Sequence, residues 1–108
     1  MMEAHTDRIR KLNDQARQSF TGCRVFITPG IQALDDIDAV MHKVQQFDEF
    51  TPDNDPYGEH DFGSFRHNGD TAFWKFDYFD LDLQMHSPDA SDPAVTARVL
   101  TVMLANEY

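Results

Sequence analysis

Apolar side chains recur along this chain with two different spacings, and each spacing predicts a kind of element. From Glu3 to Phe20 the spacing is three and four: Ile9, Leu12, Ala16 and Phe20 form a thin stripe, which predicts a helix. Arg8, Arg10, Lys11, Asp14 and Arg17 fall on its other faces, and Gly22 supplies a stop. Arg24 to Thr28 is a β-branched and aromatic run between Gly22 and Pro29-Gly30, which predicts a strand. From Asp36 to Phe47 the helical spacing returns in Ile37, Val40, Met41, Val44 and Phe47, with Asp35 or Asp36 as the N-cap. Residues 48–61 (DEFTPDNDPYGEHD) contain two prolines, a glycine and repeated Asp and Asn, and they read as a loop. Phe62–His67 and Asp70–Phe79 flank Asn68-Gly69, the strongest short-range hairpin signal. In the second of these strands Trp74, Phe76 and Tyr78 point one way, and Phe73, Lys75, Asp77 and Phe79 the other. Leu81, Leu83 and Met85 then alternate with Asp82, Gln84 and His86, predicting a further short strand or a bent continuation. Ser87 to Asp92 is a turn-rich connector. Asp92 as N-cap and Pro93 at the first helical position predict a last helix to about Asn106, with Val95, Val99, Leu100, Met103 and Leu104 inward.

The expected order is therefore α-β-α-β-β-(β)-α. The fold class is α+β, an antiparallel sheet of three to four strands around the central Asn-Gly hairpin, with about three helices on one face. A chain of 108 residues is one domain's worth, and residues 1–108 are read as a single acidic α+β domain. Nine Phe, three Tyr and one Trp supply apolar bulk for a core. No internal repeat or linker interrupts the pattern.

Charge changes the picture more than composition does. The formal net charge is −10, and residues 49–92 carry eleven acidic side chains against Arg66 and Lys75. Such a surface repels phosphate backbones, so direct nucleic-acid binding is disfavoured and basic proteins or cations are the favoured partners. The single cysteine, Cys23, cannot form an internal disulfide, which fits a reducing compartment. Met1 to Arg10 is polar and lacks the apolar centre of a signal peptide. The run around Val99 to Ala105 is far short of a membrane span, so the protein reads as bacterial-type, soluble and cytoplasmic.

Candidate chemistry centres on the acidic loop. Asp53, Asp55, Glu59 and Asp61 offer hard oxygen ligands of the kind calcium or magnesium prefers. With Asp53 as first ligand, Asp55 and Gly58 fall at calcium-loop positions three and six. Tyr57 then stands at position five, and Ser64 at twelve, where a bidentate Glu is required. His60 with Asp61, joined by His86, Asp77, Asp80 or Asp82, forms a second set suited to a transition metal or to acid–base work. Cys23 has no histidine nearby in sequence, Ser64 and Ser87 lack a nucleophile elbow, and Gly58 and Gly63 match no phosphate-binding pattern. No catalytic residue is assigned and no cofactor is expected beyond a divalent cation. Phe62, Phe65, Phe73, Trp74, Phe76, Tyr78 and Phe79 read as core packing rather than as a base-stacking platform, since the only basic residues interleaved with them are Arg66 and Lys75, against many carboxylates.

Three stretches, FDEFTPDNDPYGEHDFGSF (47–65), FWKFDYFD (73–80) and SPDASDPAVTARVLTVMLANEY (87–108), resemble a family of short alphaproteobacterial proteins known only as a domain of unknown function. The resemblance implies a single domain and a setting on plasmids, integrated elements and phage-like regions. It implies no mechanism. The resulting expectation is a non-enzymatic interaction module docking a basic protein partner through Asp53, Asp55, Glu59, Asp61, Asp80 and Asp82, with Tyr57 as aromatic anchor. In its sharpest form it imitates nucleic acid and inhibits a host nucleic-acid-binding or defence protein, with binding that weakens steeply in salt. A small divalent-metal enzyme built on His60, Asp61 and Asp77, and a structural or oligomerisation domain using exposed aromatics, are the alternatives.

Overall fold

The computed structural model describes residues 5–108. Helix α1 spans His5–Ser19, strand β1 Arg24–Ile27, the one-turn helix α2 Pro29–Gln32 and helix α3 Ile37–Gln46. Strands β2 (Phe62–His67), β3 (Asp70–Phe79) and β4 (Ala97–Leu104) follow, and a 3-10 turn at Ala105–Glu107 leads to Tyr108. The four strands form one sheet in the order β1-β4-β3-β2. The β2-β3 and β3-β4 pairs are antiparallel, while β1 runs parallel to β4. The fold is α+β, as expected, but the sheet is mixed rather than wholly antiparallel. The expected start of α1 at Glu3 lies outside the described residues.

Most elements form for the reasons the pattern implies. Asn68 and Gly69 both take positive φ, 49° and 88°, the requirement of a type I′ hairpin turn. Helix α1 stops at Ser19, and Phe20 (φ 57°) and Gly22 (φ 71°) turn the chain into β1. Residues 48–61 contain no helix or strand. Pro29 opens α2, a helix absent from the sequence expectation.

The expected last helix is instead the strand β4. Residue spacing around Val99, Leu100, Met103 and Leu104 fits a helix, but the segment is also a short, β-branched apolar run. Such runs are ambiguous by periodicity alone. The strand wins because β4 lies second from one edge of the sheet, where both of its faces are needed: Leu100 and Val102 are fully buried on one face, Val99 and Met103 nearly so on the other. Asp92 and Pro93 mark a turn, in which the Asp92 carboxylate accepts from the Ala94 amide at 2.9 Å. Leu81–Met85 likewise is not a strand. The chain doubles back there, so that the Asp80 amide donates to the Met85 carbonyl at 2.8 Å and Phe79 pairs with His86.

The core lies between the helices and one face of the sheet. Ala16, Ile31, Val40 and Val44 pack from α1, α2 and α3 against Ala72, Trp74, Phe76, Leu100 and Val102. Each large apolar side chain buried here contributes about 1.5–3 kcal/mol relative to exposure. Trp74 sits across from Gly63 on β2, where an added Cβ would collide with the indole. Among the described residues, no α-helix packs on the opposite face of the sheet.

Candidate functional site

The register places the start of β2, the end of β3 and the starts of β1 and β4 at one end of the sheet: Phe62 pairs with Lys75, Phe79 with Ala97, and Arg24 with Val99. Loop 48–61 therefore enters the sheet at the same end at which segment 80–92 leaves it. Together the two segments hold ten carboxylates and no Lys or Arg.

Helix α1 holds the acidic loop in place through a polar stripe, Arg10, Asn13, Asp14 and Arg17, at helical spacing. Arg10 donates to the Gly58 carbonyl at 3.0 Å, and Asn13 Nδ2 to the Glu59 carbonyl at 3.0 Å. Asn13 is fully buried. Its Nδ2 also donates to the Tyr78 hydroxyl (2.7 Å), while its Oδ1 accepts from Arg98 Nε (2.6 Å). The Tyr78 hydroxyl in turn donates to Glu59 Oε1 at 3.0 Å. Burial pushes the Tyr78 hydroxyl well above the ordinary phenol range and pulls the Arg98 guanidinium below its own.

His60 is the second anchor. It takes φ 54°, stacks flat on Phe50 with ring centroids 3.6 Å apart, and sits between two carboxylates. Nδ1 lies 2.8 Å from Asp14 Oδ1, and Nε2 lies 3.6 Å from Asp55 Oδ2. Asp14 in turn meets Arg17 at 3.3 Å. Arg17 is buried and donates from Nη1 to the carbonyls of Val44, Gln45 and Phe47, at the C-terminal end of α3. Its cation lies 5.1 Å from the Trp74 ring and 5.6 Å from that of Phe50. Burial lowers its pKa. This stripe on α1 was not read as a site from sequence, which placed Arg10, Asp14 and Arg17 on the faces away from the apolar stripe and gave Asn13 no role. The signal was a second set of positions, three and four apart, all polar and capable of hydrogen bonding.

The residues expected to dock a partner divide into two groups. Asp53, Tyr57 (77% exposed) and Asp82 face outward. Asp55 is turned inward, its side chain 6% exposed beside His60, and it accepts from the His60 amide. Glu59 serves Tyr78, and Asp80 accepts from the Gln84 and Met85 amides to shape its turn. Asp61 is half-buried, and burial together with Glu59 raises its carboxyl above the usual range. His60, Asp61 and Asp77 are not brought together as a ligand set: both His60 nitrogens face other carboxylates, and Asp77 pairs with Lys75 at 2.7 Å. Among the described residues, no group of three or more His, Cys, Asp or Glu side chains is placed to hold a metal ion. Burial raises the Cys23 thiol, the direction that quenches nucleophilicity. Among the described residues, no helix is long and apolar enough to cross a membrane.

Of the aromatic set, Phe65, Trp74, Phe76 and Tyr78 pack toward the helices, whereas the register puts Phe62, Phe73 and Phe79 on the open face of the sheet.

These features define an α+β protein with one helix-covered sheet face and an acidic end built from two loops. It belongs to the family described as "Protein of unknown function (DUF3768)", whose model matches residues 27–107, from the end of β1 through the acidic loops to the C-terminal turn. No curated protein and no solved structure matches the chain.

Proposed function

We propose that the protein is an interaction module whose acidic end docks a basic surface on a partner protein. The observation that carries this reading is the convergence of loops 48–61 and 80–92 at one end of the sheet, segments that hold ten carboxylates and contribute no Lys or Arg of their own, with Asp48, Glu49, Asp53 and Asp82 exposed. The same end exposes large apolar groups: Tyr57 at 77%, Leu81 at 62% and Met85 at 71%. Aromatic and Met side chains ringed by charge are the composition of a protein interface, where a few anchors supply most of the affinity. Inhibition of a host nucleic-acid-binding or defence protein, in a mobile-element setting, is the sharper form of this proposal. It draws on the resemblance of the three long sequence stretches.

The test is capture from bacterial lysate, comparing wild type with a variant carrying Asp53→Asn, Tyr57→Ala and Asp82→Asn. All three positions are outward-facing, so the variant keeps its fold. A basic protein retained by wild type and lost by the variant supports the reading and names the target. Equal captures by the two would remove the acidic end as a docking surface.

A further inference from the structure

The open face of the sheet is the second feature of the molecule that ordinary solubility does not explain. Phe26, Phe62 and Phe73 project from it by register beside Val99 and Met103, which neighbouring side chains already cover, and Tyr108 lies over Phe62 and Phe73 with ring centroids 6.4 and 5.8 Å away. Phe26 is 55% exposed and Tyr108 77%. Glu107 fixes the approach of Tyr108 by accepting from Thr28 Oγ1 (2.7 Å) and from the amides of Gly30 (2.9 Å) and Leu104 (2.8 Å).

We infer that this face is the self-association surface of the protein, and that its occupant is a second copy of the same chain. Charge is the first argument. The net charge is −10, so two copies repel across most of their surfaces. On this face the register places only Arg24, Arg66, Lys75 and Asp77, with Glu107 at the rim, so positive and negative groups nearly balance. Lys75 and Asp77 are already paired at 2.7 Å and enter an interface as a neutralised unit. Two chains can approach here without forcing carboxylates together. An antiparallel arrangement sends the two acidic ends in opposite directions.

Shape is the second argument. A two-fold interface needs a surface complementary to itself. Here the exposed Phe26 ring stands beside a recess of about 420 Å³ lined by Thr28, Lys75, Thr101, Met103, Glu107 and Tyr108, and Phe26 pairs directly with Thr101 in the sheet. Projection and recess therefore share one face, and a two-fold axis between them seats each Phe26 in the other copy's recess.

Area is the third. Four strands at about 4.8 Å spacing, β1 contributing its four residues and the others five or six at about 3.3 Å, make a plane of roughly 330 Å². The protruding Phe26 and Tyr108 add to that plane, which places the face at the low end of specific interfaces, below the ~800 Å² per partner of a standard one. Stacking two sheets at about 10 Å would complete a sandwich with helices on both outer sides.

Light scattering on a gel-filtration column, with the chain loaded at about 100 µM so that a small interface stays populated, tests this. Wild type is expected at twice the 12.4 kDa of one chain, and Phe26→Asp at 12.4 kDa. Phe26 lies outside the helix-facing core, and far-UV circular dichroism checks its fold. Lys75→Glu, which makes the face acidic, is the second variant and decides the matter if Phe26→Asp misfolds. Tyr57→Ala, at the acidic end, is expected to stay dimeric, which separates this inference from the docking proposal. A wild-type monomer would overturn the inference. So would a dimer that survives both substitutions, or a monomer whose open face binds a short single-stranded oligonucleotide in an anisotropy titration.

Discussion

Arg17→Met tests whether the buried guanidinium is the device that joins α1 to α3. The substitution keeps side-chain length and apolar contact with Phe50 and Trp74 while removing the charge. Three carbonyls lose their donor: Val44 at 2.9 Å, Gln45 at 3.2 Å and Phe47 at 2.9 Å. All three are served by Nη1, which carries two hydrogens, so they count as two full bonds rather than three. Hydrogen bonds from a charged donor contribute about 1.5–3 kcal/mol each. The cation also faces the negative end of the α3 dipole. Against this stands the cost of keeping a guanidinium at 1% exposure, which Met abolishes. Asp14 loses a partner but keeps His60. The balance is a loss of about 3 kcal/mol, or a Tm lower by roughly 12–20 °C for a domain of this size. Urea unfolding followed by the fluorescence of Trp74, the only Trp in the chain, measures it directly. The m-value should be unchanged, as required for a pure stability effect. Arg17→Lys keeps the charge without the planar fork and should fall between wild type and Arg17→Met. A loss below about 1 kcal/mol would refute the reasoning, because desolvation would then cancel what the hydrogen bonds contribute.

Asn13→Ala removes the shared node of Arg98, Tyr78 and the Glu59 carbonyl, and should cost about 2–4 kcal/mol; hydrogen exchange should quicken in loop 48–61 more than in α3. Gly63→Ala drives a Cβ into the Trp74 indole and should cost at least as much as an overpacked core, about 1–3 kcal/mol, with a blue- or red-shifted tryptophan emission reporting the displaced ring. For Asp61 the folded carboxyl titrates above the unfolded one, so the fold binds its proton more tightly and ionisation disfavours folding. Stability from this group falls as pH rises from the ordinary carboxylate value of about 3.9 through the raised one. Asp61→Asn should therefore raise Tm at pH 7 and lose that advantage below the ordinary value, as thermal melts across pH would show.

The parts of the fold legible in the sequence are those with a local cause. The Asn68-Gly69 hairpin was readable because Asn-Gly is one of the few dipeptides that take two positive φ values at low cost. Helices α1 and α3 were readable because each has one apolar face. The C-terminal strand was not, because its inner position in the sheet buries both faces and erases the alternation that distinguishes strand from helix; its pairing partners lie about 25 residues upstream on β3 and about 75 upstream on β1. Asp36 illustrates a finer loss. Its position at the start of α3 was legible, but its carboxylate bonds His67 at 2.7 Å instead of capping the helix, a contact made by the hairpin turn's arrival from 31 residues away. At the candidate site, the acidity of loop 48–61 was plain. Which carboxylates face outward was not, since that depends on Asn13, Asp14 and Tyr78, none of which lies in the loop.

That division of the carboxylates bears on what the acidic end can recognise. Duplex DNA presents one phosphate charge per about 1.7 Å, and a protein surface that imitates it must hold a comparable row of free charges. Here Asp55, Glu59 and Asp80 satisfy His60, Tyr78 and a backbone turn, Asp61 is half-buried, and Asp89 and Asp92 accept from the Ser91 and Ala94 amides, which leaves Asp48, Glu49, Asp53 and Asp82 as the exposed set among apolar neighbours. A surface of few free charges around Tyr57, Leu81 and Met85 supports docking by anchors, with charge steering the approach and choosing a basic partner. The two modes differ in their response to salt. An imitation of phosphate should lose affinity with a slope set by many ion contacts. An anchored interface should lose it with a slope of about four or less, while truncating Tyr57 or Met85 slows association little and speeds release. A steep salt slope with unchanged release on Tyr57→Ala would return the argument to mimicry.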